Sequence, residues 1–97
     1  MAEKEISVVI KFRLDRRKES GFLGDIKPLL CEVRQQRGCL LFDLYRALKG
    51  RDWFLLETWE SEPAFTEHKQ TPQAARLRAF LNEHTDWEQW QLEPVMA

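Results

Sequence analysis

Between Glu5 and Leu14 (EISVVIKFRL) apolar and polar positions alternate. Ile6, Val8, Ile10 and Phe12 fall on one side and Ser7, Val9, Lys11 and Arg13 on the other, the two-residue period of a strand. From about Arg16 to Arg37 the period changes: Phe22, Ile26, Leu29, Leu30 and Val33 recur at helical spacing, and Gly38 follows as a stop signal. Pro28 falls inside this stretch, where an interior proline costs about 3 kcal/mol. Asp25 as a cap would place Pro28 in the first turn, where its missing N–H is not needed. The pattern therefore predicts a break or kink near Gly24.

Cys39 to Ala47 (CLLFDLYRA) and Trp53 to Glu60 (WFLLETWE) are strand-like runs, and Lys49-Gly50-Arg51-Asp52 between them has the length and glycine of a hairpin turn. In the second run both alternating sets are apolar: Trp53, Leu55 and Trp59 on one side, Phe54 and Leu56 on the other, with Glu57 and Thr58 as polar exceptions. A strand of that composition is covered on both faces. Ser61 and Thr71 each stand just ahead of a proline, Pro63 and Pro72, and each is expected to cap a helix whose first turn accepts it. The second of these helices carries Ala74, Leu77, Phe80 and Leu81 on one stripe and ends near His84, before a last, more polar strand from Trp87 to Pro94. The order βαββααβ predicts an α+β fold with a four-stranded antiparallel sheet, most simply the ferredoxin-like arrangement.

The chain has 97 residues, read as a single domain spanning 1–97 with its core over about 5–95. Helices over one face of such a sheet leave the other face bare, and a long apolar face marks a contact surface; a face-to-face homodimer is the expected cover. The formal net charge of −1, from 15 Lys+Arg and 16 Asp+Glu, speaks against a phosphate-coating protein and so against nucleic acid as the main partner. No apolar run approaches a bilayer span, and the polar start (Met1-Ala2-Glu3-Lys4-Glu5) lacks a signal-peptide core, so no membrane partner and a cytoplasmic location are expected. Cys31 and Cys39 have no ligand spacing and read as reduced, buried thiols; no metal and no cofactor motif is expected.

The run from Phe54 to Leu81 resembles the antibiotic biosynthesis monooxygenase family. The resemblance rests on Glu57-x-Trp59, then Ala64-Phe65, then His68-x-x-Thr71-Pro72, with support from the strand Gly38 to Tyr45. It implies a dimeric α+β barrel with a pocket between sheet and helices, in which family members oxidise quinols or anthrones with O2 and no cofactor. Related members act on a signalling molecule or degrade haem. Gln73 stands where members often carry a second histidine. The haem-degrading branch needs an Asn on the first strand, whereas Asn82, the only one here, is on a helix.

Such chemistry wants an apolar aromatic box and one base. His68 is the candidate catalytic base or hydrogen-bonding group, since imidazole titrates near neutrality; it would alternatively just favour the dipole at its helix end. Glu57 shares a strand side with Trp59. It is either a catalytic acid or base, or the partner of a buried arginine such as Arg46. Trp59, Phe65, Phe80, Asp43 and Tyr45 are candidate contacts to a small aromatic substrate, though Phe65, Phe80 and Leu77 read first as sheet-facing core. Trp87 and Trp90 are expected at the sheet edge or dimer contact, and His84 on the surface. Two other classes compete: a non-catalytic dimer that binds a small molecule in the same pocket, and an RNA-binding module suggested by Lys49-Gly50 and the aromatics after it.

Overall fold

The computed structural model describes residues 4–96. Strands β1 (Ile6–Arg13), β2 (Cys39–Arg46), β3 (Asp52–Trp59) and β4 (Trp87–Leu92) form one antiparallel sheet in the order β2-β3-β1-β4. Helices α1 (Glu19–Arg34), α2 (Glu62–Lys69) and α3 (Pro72–His84) lie on one face of it. This is the βαββααβ order read from the sequence. Ser61 Oγ accepts the Ala64 N–H and Thr71 Oγ1 the Ala74 N–H, each at 3.2 Å, so both capping residues do the work their positions predict.

The sheet face beneath the helices carries Val8, Ile10 and Phe12 from β1, Trp53, Leu55, Glu57 and Trp59 from β3, and Phe42 from β2, all buried. Trp53, Phe12 and Phe22 cluster at one end of this layer, with ring centroids 5.5–6.2 Å apart. Trp59, Phe42 and Phe65 gather around His68 at the other. The opposite face presents Val9 between Leu56 and Trp90, with Phe54, Leu41, Tyr45 and Leu92 around them. No helix covers these residues, and Tyr45, Trp90 and Leu92 are 44–51% exposed.

Four expectations fail. No break occurs at Gly24: α1 is continuous, is preceded by a 3-10 turn at Arg16–Lys18 capped by Asp15, and contains Pro28 in its interior. The proline is tolerated because its missing N–H orphans the carbonyl of a glycine, and Gly24, Asp25 and Pro28 are all exposed. Cys31 is exposed and Cys39 partly so; neither is a core thiol. Arg46 does not meet Glu57 but bonds Glu19 at 3.4 Å and lies over the Trp53 ring. His84 is half-buried, its ring 4.8 Å from that of Phe80.

Pro28→Ala restores one helical hydrogen bond and removes the ring, and is expected to stabilise the fold by about 2 kcal/mol. Urea unfolding at fixed protein concentration measures it; an unchanged or lower midpoint would mean that the proline is not strained where it stands.

Candidate functional site

Glu57 is the one carboxylate buried in the layer between sheet and helices among the described residues. Strand alternation puts it there: it lies between Leu55 and Trp59 on the helix-covered side of β3, with Phe42 beside it on β2 and Val8 on β1. His68, in the last turn of α2, is 5% exposed and comes down on the same spot, its ring stacked 4.4 Å from that of Trp59. The indole N–H of Trp59 donates to Glu57 Oε1 at 2.8 Å, and His68 Nε2 lies 3.8 Å from the same oxygen. Both contacts are to Oε1, and Glu57 lines a chamber of about 50 Å3 together with Phe65, Leu77, Leu81 and Trp87. Lys69 and Arg78 stand on its wall, giving it positive charge but no ion pair with Glu57.

The far side of His68 fixes its protons. Thr71 Oγ1 donates to the His68 carbonyl at 2.7 Å, so its free lone pair faces the Gln36 amide nitrogen at 3.5 Å. That turns Gln36 Oε1 toward His68 Nδ1, 2.8 Å away, which must carry the hydrogen. The bare nitrogen of the neutral ring is then Nε2, the one aimed at Glu57. Gln36 follows the end of α1 and was not among the residues singled out from sequence; no motif marks it, because only the fold brings the turn after α1 beside the end of α2. Arg78 was missed likewise.

Burial pushes the Glu57 carboxyl up to about 7, against the smaller opposing effect of the Trp59 hydrogen bond. Burial, helped by the charge of Arg78, pushes His68 down to about 4. Near neutral pH the pair is a carboxyl at its midpoint beside an uncharged imidazole. The two shifts have opposite consequences for stability. A carboxyl raised from 4.5 to about 7 contributes most below 4.5, and its contribution is lost as pH rises to 7. An imidazole lowered from 6.5 to about 4 contributes most above 6.5, and its contribution is lost as pH falls to 4. Between pH 4.5 and 6.5 the slopes cancel. Glu57→Gln is therefore expected to expose a stability that rises with pH, and His68→Asn one that falls, each by up to about 1.4 kcal/mol per pH unit. Urea unfolding at pH 4.5, 5.5 and 6.5 measures both; slopes of the same sign would refute the opposing shifts.

Of the other residues expected at a site, Trp59 and Phe65 are beside His68, and Phe80 is not. Phe80 lies farther along α3 and lines a separate cleft of about 480 Å3 between α1 and α3. Asp43 and Tyr45 are on the opposite sheet face, level with Leu56 and Phe54, so a pocket in the helix layer does not contain them. Asp43 is bonded by Arg34 at 2.8 Å and Tyr45 is exposed.

This arrangement of a buried acid, indole and imidazole sits within a sequence match. The profile of the family described as antibiotic biosynthesis monooxygenase matches residues 5–79. The chain belongs to that family. It is 26% identical over 78 residues to Rv0793 of Mycobacterium tuberculosis, covering 80% of this chain and 77% of the relative. The solved structure of Rv0793 superposes with a TM-score of 0.86, covering 96% of this chain and 97% of that one at 23% identity. SnoaB of Streptomyces nogalater, described as a cofactor-independent oxygenase and solved as a point mutant, superposes with a TM-score of 0.84 over 97% and 96% of the two chains at 16% identity. At these identities the structures establish a shared ferredoxin-like α+β fold. Among the described residues no helix is long and apolar enough to cross a membrane.

Proposed function

We propose that this family member is a cofactor-independent monooxygenase of a small hydroxylated aromatic, a quinol or an anthrone. The observation that carries the reading is the Glu57–His68 pair: a carboxyl near its midpoint at neutral pH, lining a chamber with aromatic, aliphatic and cationic walls, with an uncharged nitrogen 3.8 Å away. Oxidation by O2 without flavin or metal draws its electrons from the substrate, so the protein's task is to remove a proton and shelter the resulting anion from water. Glu57 takes the proton at Oε2; His68 Nε2, uncharged and 3.8 Å from Oε1, places no cation beside the acid and so leaves its raised pKa in force; Arg78 and Lys69 offset the charge of the substrate anion. The anion passes electrons to O2, a carbon–oxygen bond forms, and the peroxide breaks with return of a proton. One oxygen atom is then in the product and the other in water. Trp59 holds Glu57 in place, Phe65 walls the chamber, and since its volume of about 50 Å3 is smaller than a ring, Leu77 has to swing aside for the substrate to reach the acid.

The test is oxygen uptake by the chelator-treated protein with a panel of quinols and anthrones. Uptake well above the uncatalysed rate, with quinone formed, supports the reading. None with any substrate would leave a protein that binds such molecules without transforming them.

We propose also that the uncovered sheet face packs against a second copy; the support is the row of Val9, Leu56 and Trp90 with its apolar neighbours. Light scattering after gel filtration is expected to give twice the 11.6 kDa of one chain, and Leu56→Lys a monomer. A monomer mass for the parent protein at micromolar concentration would refute the pairing.

A further inference from the structure

Pro28 is the least economical residue of α1, and it stands on the wall of the recess between α1 and α3. That cleft holds about 480 Å3, within the range of small-molecule sites. Its sides are Phe22, Ile26 and Leu29 from one helix and Leu77 and Phe80 from the other, and the Phe22 and Phe80 rings are 4.8 Å apart. Gly24 and Pro28 line it too. An ordinary residue at 28 would give its N–H to the carbonyl of Gly24; a proline has none, so that carbonyl lacks its helical partner, on a cleft whose other polar side chains are Asp25 and the paired Glu32 and Arg76, 2.8 Å apart. The helix surface is open at Gly24, where an added side-chain carbon would meet nothing within 4 Å.

We propose that this cleft binds a flat aromatic carrying a hydroxyl group, with the rings against the partly exposed Phe80 and the hydroxyl donating to the Gly24 carbonyl. The site deepens the monooxygenase reading and rests on it only for the ligand's later fate. Leu77 lines both this cleft and the Glu57–His68 chamber, so one side chain separates the resting ligand from the buried acid. The chamber alone, at about 50 Å3, has room for O2 or a water but not for a ring. A local rule broken at exposed cost, in the wall of a cleft, is what a binding site leaves in a sequence.

The experiment compares 2-naphthol with naphthalene, neither of them a quinol or anthrone, by calorimetry on the full chain and on Pro28→Ala. The parent protein is expected to favour the naphthol by roughly 3- to 10-fold, the range of one neutral hydrogen bond. Pro28→Ala is expected to bind both about equally while being the more stable protein, so loss of discrimination cannot come from unfolding. Amide shifts in the presence of naphthol should fall on α1 and α3. Equal affinities in the parent, unchanged discrimination in the variant, no binding, or shifts confined to another surface would each overturn the proposal. Oxygen uptake is read separately. Discrimination without uptake keeps the cleft and sinks the oxidation, and uptake without discrimination does the reverse.

Discussion

Glu57→Gln is expected to lower kcat for quinol or anthrone oxidation by about 10²- to 10⁴-fold, the usual yield of a positioned general base. Glutamine keeps the shape and still accepts from the Trp59 indole, but cannot take a proton. His68→Asn should cost less in kcat, because the imidazole acts on the acid and does not hold the transferred proton. Its signature is the pH profile. With Glu57 titrating near 7, activity rises with pH through that value, and removal of His68 is expected to move the inflection as well as lower the plateau. Stopped-flow oxidation from pH 5.5 to 8.5 measures both. Full activity in Glu57→Gln would remove the carboxylate from the mechanism; equal rates and an unmoved inflection in His68→Asn would remove only the histidine.

Gly38→Ala is the second large effect, expected at about 2–5 kcal/mol of lost stability, a sizeable part of what a domain of this size has in total. Gly38 joins α1 to β2 at a φ of +83°, where a side chain costs roughly 1–2 kcal/mol. Its added carbon would come within 2.6 Å of the Ala64 Cβ, which is rigid, being one bond from the α2 backbone. Overpacking of that kind costs about 1–3 kcal/mol more. Ala64→Gly in the same chain should return the second contribution and leave the first, despite its own cost as a helix glycine. Thermal unfolding of the two single variants and the double gives the coupling. Additive effects would show that the contact relaxes freely. Because α2 also carries His68, the single variant should lose the fixed relation between His68 and Glu57 before the sheet itself melts.

The outline of the fold was legible because each element carries its own local signal. The alternation in β1 and the Ser61 and Thr71 caps of α2 and α3 depend on neighbours in sequence, and the structure keeps both; the two-sided apolar pattern of β3 is met on its helix side, while Phe54 and Leu56 lie on the face no helix covers. The misreading of α1 has the opposite cause. Propensity argued for a break at Gly24, but Phe22, Ile26, Leu29, Leu30 and Val33 bury one continuous stripe on the sheet, and that burial outweighs one missing hydrogen bond. Glu57 and Trp59 could be placed together from strand parity, though not on a particular face. Parity likewise joined Asp43 to Tyr45. Only the register Asp43 to Leu56, across from the helices, shows that they face away from the acid. Gln36, Arg78 and the cleft walls come from helices separated in sequence, so no local pattern announces them.

The irregularity where Cys39 and Leu41 pair with consecutive β3 residues, Trp59 and Thr58, leaves Leu40 extra in the edge strand. A bulge there twists the free edge and breaks the row of N–H and C=O groups that an incoming strand would need. At the other border β4 is only six residues long, and Glu88, Gln89 and Gln91 make half of it polar. Neither margin is suited to adding strands, so the molecule is guarded against growing sideways into fibres even while a broad apolar face stays available on the flat of its sheet.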